Sequence, residues 1–253
     1  MSPAIGKNFF MIMAIILLLF VFLGFAPTLY LRPFFGRIDQ PTGSSHLPVH
    51  LLLHGLALSS WYLLFALQAI LVRTQRVSVH RQLGWAGAVS ACAVVVSGFV
   101  VLSKVVTRRL VEGQSFPPEA MQGLSGIILS QTWNLSCFVV CVALAIRFRR
   151  KAWLHKRLML IASIQVVGAA LTTNRAFGAA LQSLFPDSIH VSQIILILLA
   201  TALPVFDYVN ERKVHAVSLI GTVILLAPML LVPFLMGTTA GAAWVQWLGN
   251  VPS

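Results

Sequence analysis

Acidic residues are nearly missing from this chain: six Asp and Glu stand against 18 Lys and Arg in 253 residues, and charged residues of both signs make up only 9%. Soluble domains are nearer a quarter charged, so an ordinary water-facing surface is excluded. Cysteine is also scarce. Cys92, Cys137 and Cys141 fall inside apolar runs and none has C-x-x-C spacing, which argues against a disulfide framework or a thiolate metal knuckle. They are expected to be buried packing residues. No G-x-S-x-G, no phosphate-cradling glycine loop and no H-E-x-x-H occurs, so the commonest signatures of soluble hydrolases, nucleotide enzymes and metalloproteases are lacking.

What the chain has in abundance is apolar surface, with 58% hydrophobic residues and a mean hydropathy of +0.89. A net charge of +12 on a soluble protein would suggest nucleic acid. Here the basic residues sit in short clusters at the ends of apolar runs, the pattern of topology signals and headgroup anchors, and no nucleic-acid partner is expected.

A helix needs about 20 apolar residues to cross the hydrocarbon core. Seven stretches qualify: 9–31, 48–72, 82–106, 124–148, 154–174, 189–209 and 215–237. The expected fold is therefore all-α, one polytopic domain (1–253) built as a bundle of seven transmembrane helices. The first stretch is too long for the roughly 7–15-residue apolar region of a signal peptide. Only the 107–123 connection, with Arg108, Arg109 and Phe116-Pro117-Pro118-Glu119, has room for a surface element. Cytoplasmic loops hold the excess of Lys and Arg. With the N-terminus inside, the inner side carries twelve and the outer side six, which puts the C-terminus outside. Trp244 and Trp247 then read as an interfacial anchor. Gly84, Gly87 and Ala88 form a small-residue patch suited to close helix packing.

Ionisable groups in a bilayer cost about 2.5–3.5 kcal/mol at a helix centre by insertion scales, so the polar residues are informative. Three histidines open helices on the inner side, in Arg76-x-x-Val79-His80-Arg81, Lys151-x-x-Leu154-His155-Lys156 and Glu211-x-x-Val214-His215. His80, His155 and His215 could converge as metal ligands, or serve as interfacial residues beside basic neighbours. On the outer side His46, His50 and His54 are spaced four apart and His190 opens the sixth span. Trp61 and Gln68 follow His54 at seven-residue intervals, so the three lie close to one stripe of a helix. That stripe either holds a cofactor or bridges helices by hydrogen bonds. Arg175 falls at the outer end of the fifth span, where it clamps an anion or quinone oxygen or snorkels to the interface. Gln131, Asn134, Gln165, Asn174 and Gln193 add polarity deeper in the spans, and Asp207 is placed to pair with the inner basic residues.

The elements His54-Gly55, Trp61, Leu64-Phe65, Gln68, Val72, Val79-His80-Arg81-x-Leu83-Gly84, His155-Lys156-Arg157-Leu158-Met159-Leu160, Arg175, and Asp207 with Arg212-x-x-His215 resemble a group of uncharacterised bacterial membrane proteins. That resemblance implies a multi-pass protein of the bacterial inner membrane. More distantly, the His-Arg-x-Leu-Gly and His-Lys-Arg-x-Met elements are similar to those of cytochrome b561-type proteins, which implies b-type haem held by paired histidines. No single span carries a histidine at each face, which departs from the two-haem pattern and leaves one haem, for instance between His54 and His190. The seven-helix, N-inside arrangement with inner histidines is also similar to the adiponectin receptor and alkaline ceramidase group, which implies a zinc hydrolase site at His80, His155 and His215. The paired histidines of that group's last helix are missing, since Leu219 stands four residues after His215. Three functions thus stay open: a haem- or quinone-linked redox protein using His50, His54, His190, Trp61, Gln68 and Arg175; a zinc-dependent hydrolase; and a non-catalytic accessory or transport component of a membrane complex.

Overall fold

The computed structural model describes residues 3–35, 47–111, 118–173, 191–236 and 238–249. Helix α1 (Pro3–Phe25) runs into a π-helical turn (Ala26–Tyr30) and the short α2 (Arg32–Phe35). Three helix pairs follow, α3 (Val49–Arg73) with α4 (Val77–Val111), α5 (Pro118–Arg147) with α6 (Ala152–Thr173), and α7 (Val191–Glu211) with α8 (Ala216–Met236), and then α9 (Thr239–Gly249). The turns inside the first and third pairs are only a few residues long. Each contains a non-glycine residue in the left-handed region, Gln75 at φ 63° and Arg212 at φ 51°, which lets the chain reverse at once.

Among the described residues, six helices are long and apolar enough to cross a bilayer: α1 with its π turn, α3, α4, α5, α7 and α8. Their outward side chains are apolar, as at Leu63, Val96, Leu198, Leu230 and Phe234, the surface expected where lipid rather than water is the solvent. Helix α6 is different. From Arg157 to Val167 every residue except Met159 is buried, and the helix packs against α1, α5, α7 and α8. A helix surrounded by protein has no outward stripe to keep apolar, which explains why this one can carry Arg157, Ser163 and Gln165. Its approach to α1 is very close, because Gly24 of α1 lies against the main-chain carbonyl of Ala170.

Prolines inside α7 and α8 remove main-chain donors in a region where water cannot replace them. Pro204 frees the carbonyl of Ala200, and the Thr222 hydroxyl of α8 reaches it at 2.8 Å. Pro228 frees the carbonyl of Ile224, and the indole N–H of Trp133 on α5 donates to it at 3.1 Å. The defects at Pro204 and Pro228 thereby become bonds to neighbouring helices.

Three expectations change. The 107–123 connection is shorter than expected, because α4 continues through Val111 and α5 starts at Pro118. At 35 residues α4 is roughly 52 Å long, well beyond the ~30 Å hydrocarbon core, so its last turns remain helical in the headgroup region. Cys141 is buried, but Cys137 is half-buried and Cys92 faces outward. Gly84 and Gly87 do not make a close contact: nothing lies within 4 Å of the place a Cβ would take at either. The tail helix α9 packs on α4 and α5, with Trp244 stacked on Trp247 at 4.9 Å and its indole N–H donating to the Thr132 hydroxyl at 3.2 Å.

Trp133→Phe should lower thermal stability in detergent by about 1 kcal/mol, a typical interhelical hydrogen bond in a membrane. In a Pro228→Ala background the helix supplies its own N–H to Ile224, and the same change should then be neutral. Equal losses in both backgrounds would refute the compensation.

Candidate functional site

One end of the bundle gathers the last turns of α3, α5 and α7 and the first turns of α1, α4, α6 and α8. Arg73 at the end of α3 donates from Nε to the Asn8 side chain of α1, and the Lys156 ammonium of α6 lies 4.6 Å over the Phe10 ring. Two polar clusters form there.

The first is centred on Arg157, which is fully buried together with Asp207. The guanidinium donates from Nη2 to Asp207 Oδ1 at 2.5 Å and from Nε to the same oxygen at 3.1 Å. It also donates from Nη2 to Glu211 Oε1 at 2.8 Å and from Nη1 to the Trp153 carbonyl at 2.9 Å. The second oxygen of Asp207 accepts from the Ser218 hydroxyl at 2.6 Å and the His215 main-chain N–H at 3.2 Å. Glu211 Oε2 is 2.5 Å from His215 Nε2, and the His215 ring stacks on Trp153 at 5.3 Å. Burying opposite charges is tolerable only when the remaining lone pairs and protons are also bonded, and here both oxygens of Asp207 are.

Asp207, Glu211 and His215 bring one ligand atom each within 4.8 Å of one another, among the described residues the one group of three that could hold a metal ion. The guanidinium of Arg157 already occupies the cation's side of both carboxylates. A catalytic zinc needs three protein ligands and an open position, and a divalent ion here would face a buried positive charge. The donor set fits an ion-pair network and not a zinc centre.

The second cluster joins His80 of α4 and His155 of α6, whose ring centroids are 6.4 Å apart with planes at 81°. His155 Nδ1 lies 2.9 Å from the Ala145 carbonyl. A carbonyl can only accept, so Nδ1 carries a proton and donates it. The His80 ring sits beside the main-chain carbonyl of Gln68. His80 Nδ1 and Gln68 Oε1 are both buried without a protein partner.

The structure thus divides the inner histidines: His80 and His155 meet, while His215 is bonded to Glu211 in the other cluster. Of the outer set, His54 Nδ1 lies 3.0 Å from the Ser97 hydroxyl of α4. That hydroxyl donates to Ala93 at 2.6 Å, so it accepts from His54 and leaves Nε2 of the ring free to accept. His50, one turn earlier, is half-buried. Trp61 is 2% exposed, edge-on to Phe138 at 5.0 Å, and Gln68 lies at the His80 end of the stripe. His46, Asn174, Arg175 and His190 lie outside the described residues.

Reading the sequence by topology registered Arg157 only as one of the inner basic residues and Glu211 only as a helix-end marker. A signal existed in the four-residue spacing Asp207, Glu211, His215. The turn between the last two brings them together, and no helical periodicity could show that. No family model, curated protein or solved structure matches the chain.

Arg157→Met should cost about 3–5 kcal/mol of stability, the penalty for leaving buried carboxylates uncompensated, and should appear as a steep fall in detergent melting temperature. Arg157→Met combined with Asp207→Leu should recover most of that loss. A double variant as unstable as the single one would contradict the account.

Proposed function

We propose that the chain is a seven-span membrane protein, N-terminus on the cytoplasmic side, that holds a redox-active ligand, haem b or a quinone, against His80 and His155. Support for the seventh span comes from α6: its 22 residues extend roughly 33 Å, enough to cross the hydrocarbon core, and it packs among four apolar helices. An odd number of spans puts the termini on opposite sides. The twofold excess of Lys and Arg on the N-terminal side supports the orientation, and the same features favour a bacterial inner membrane.

The observation that carries the redox reading is the meeting of two histidines from α4 and α6 beside buried polar atoms that no protein group satisfies. His80 and His155 lie with their ring centroids 6.4 Å apart, close enough that both would touch one ligand held there. His155 also makes the Nδ1–H to carbonyl bond that commonly orients a ligating imidazole and raises its basicity. His80 and His155 would hold a haem, which when bound would supply one-electron transfer. For a quinone, the same groups act as hydrogen-bond partners of its oxygens. In either case His80 and His155 bind and orient, and the Arg157 network holds the helix that carries His155.

Detergent-purified protein from a haem-supplied host should show a Soret band that disappears in His80→Ala and in His155→Ala and persists in His54→Ala. If no band is present, organic extraction should release about one quinone per chain, lost in the same two variants. A colourless protein without extractable quinone would sink the proposal. Topology is tested separately: alkaline phosphatase fused to the C-terminus should be active, and an inactive fusion paired with a fluorescent cytoplasmic reporter would reverse the orientation.

A further inference from the structure

Helices α3 and α4 pack on each other, and polar side chains recur at intervals along both. The His54 to Ser97 hydrogen bond fixes their antiparallel register. Seven residues further along each helix that register brings Trp61 level with Ser90, and seven beyond that it brings Gln68 to the first turns of α4, where the His80 ring lies beside it. Trp61 is 2% exposed and Ser90 7%. Yet Trp61 Nε1, Ser90 Oγ, Gln68 Oε1 and His80 Nδ1 all lack a protein partner.

Ser90 stands out among the helical hydroxyls. Ser59, Ser97, Ser136 and Ser163 each donate to the carbonyl four residues back, at 2.6–2.9 Å, the usual solution in an apolar medium. Ser90 does not, although its backbone is equally helical. Gly87 lies on the same face of α4, with Ser90, Val94 and Ser97 at helical intervals, and nothing lies within 4 Å of the place its Cβ would take. Orphaned buried polar atoms beside open space are where proteins hold internal water, which needs two to four polar partners.

We infer that the α3–α4 seam holds a file of water molecules that carries protons across the bilayer between His54 and His80. From His54 to Gln68 the path runs 14 residues, about 21 Å of the ~30 Å core. The Trp61 N–H donates to the file and the Ser90 hydroxyl both donates and accepts, orienting it. The imidazoles at the two ends take up and release the proton. Each hop makes one O–H or N–H bond and breaks another, so the net process moves one proton from one side to the other with no oxidant or reductant. The path needs His80 without a bound ligand, so it belongs to protein free of haem and quinone and is tested on that form.

The test uses full-length protein in phosphatidylcholine vesicles that trap a pH-sensitive dye, with a potassium gradient and valinomycin driving protons inward. Wild-type vesicles should acidify at least tenfold faster than protein-free ones. Trp61→Phe, which keeps a six-membered ring but removes the pyrrole N–H from the seam, should reduce the rate several-fold. Ser90→Leu, which fills the space, should return it to the protein-free level, while Val89→Leu on the lipid-facing side, 68% exposed, should leave it unchanged. If Ser90→Leu fails to purify as a monodisperse species, Trp61→Phe decides. Wild-type vesicles no faster than protein-free ones, or a Trp61→Phe rate equal to wild type, would overturn the inference.

Discussion

A guanidinium carried into a protein interior within a membrane has to be met by carboxylates, and the arrangement of three helices follows from how Arg157 is met. Asp207 and Glu211 supply the charge from the end of α7, and Ser218 and the His215 N–H, from the start of α8, complete Asp207. The left-handed residue Arg212 turns the chain tightly enough for His215 to return to Glu211. Because the network fixes the rotation of α6 about its own axis, it also fixes His155. Two residues before Arg157, about 200° round the helix, His155 points away from the acids and toward α5 and His80. The ion pair and the histidine pair are thus opposite faces of one constraint.

Elsewhere the same rule, that polar groups away from water find partners, is met by other means. The carbonyls freed by Pro204 and Pro228 are taken up by Thr222 and Trp133, and Tyr62 donates to the Ser163 carbonyl at 2.5 Å. Against this background the unpartnered atoms along the α3–α4 seam, and both amide ends of Gln165 at 2% exposure on α6, are exceptions concentrated in particular places. Among the described residues, four of the seven such atoms lie on that helix pair, and the others are Arg32 Nη1 and the two on Gln165.

Helix positions were legible in the sequence, with ends up to six residues out at α1, α4 and α5, because apolar runs of the right length between basic clusters have few other physical solutions. The special standing of α6 was less so, since a span with two charges at one end looks like any interfacial helix until its neighbours are known. The stripe of His54, Trp61 and Gln68 was visible from its seven-residue spacing. Its partner on α4 was not, because Ser90 and Ser97 are ordinary helix residues until the register of the hairpin is fixed. The three inner histidines shared one sequence pattern yet went to two sites, because a pattern at helix starts records depth in the bilayer and not the direction each helix faces. Arg157 was overlooked for a related reason: at a span's end a basic residue normally reports topology, and only the packing of α6 turns it inward.

The span of 50 residues between Arg157 and Asp207 has a consequence for biosynthesis. A ribosome delivers α6 with its arginine well before α7 exists, and the carboxylates arrive on the last turns of α7. Until then the guanidinium has no counter-charge, and its burial in hydrocarbon would cost a few kcal/mol. Helix α6 therefore cannot settle at the centre of the bundle in order of emergence. Its final packing, with Arg157 between Asp207 and Glu211, is complete only once the end of α7 has been made.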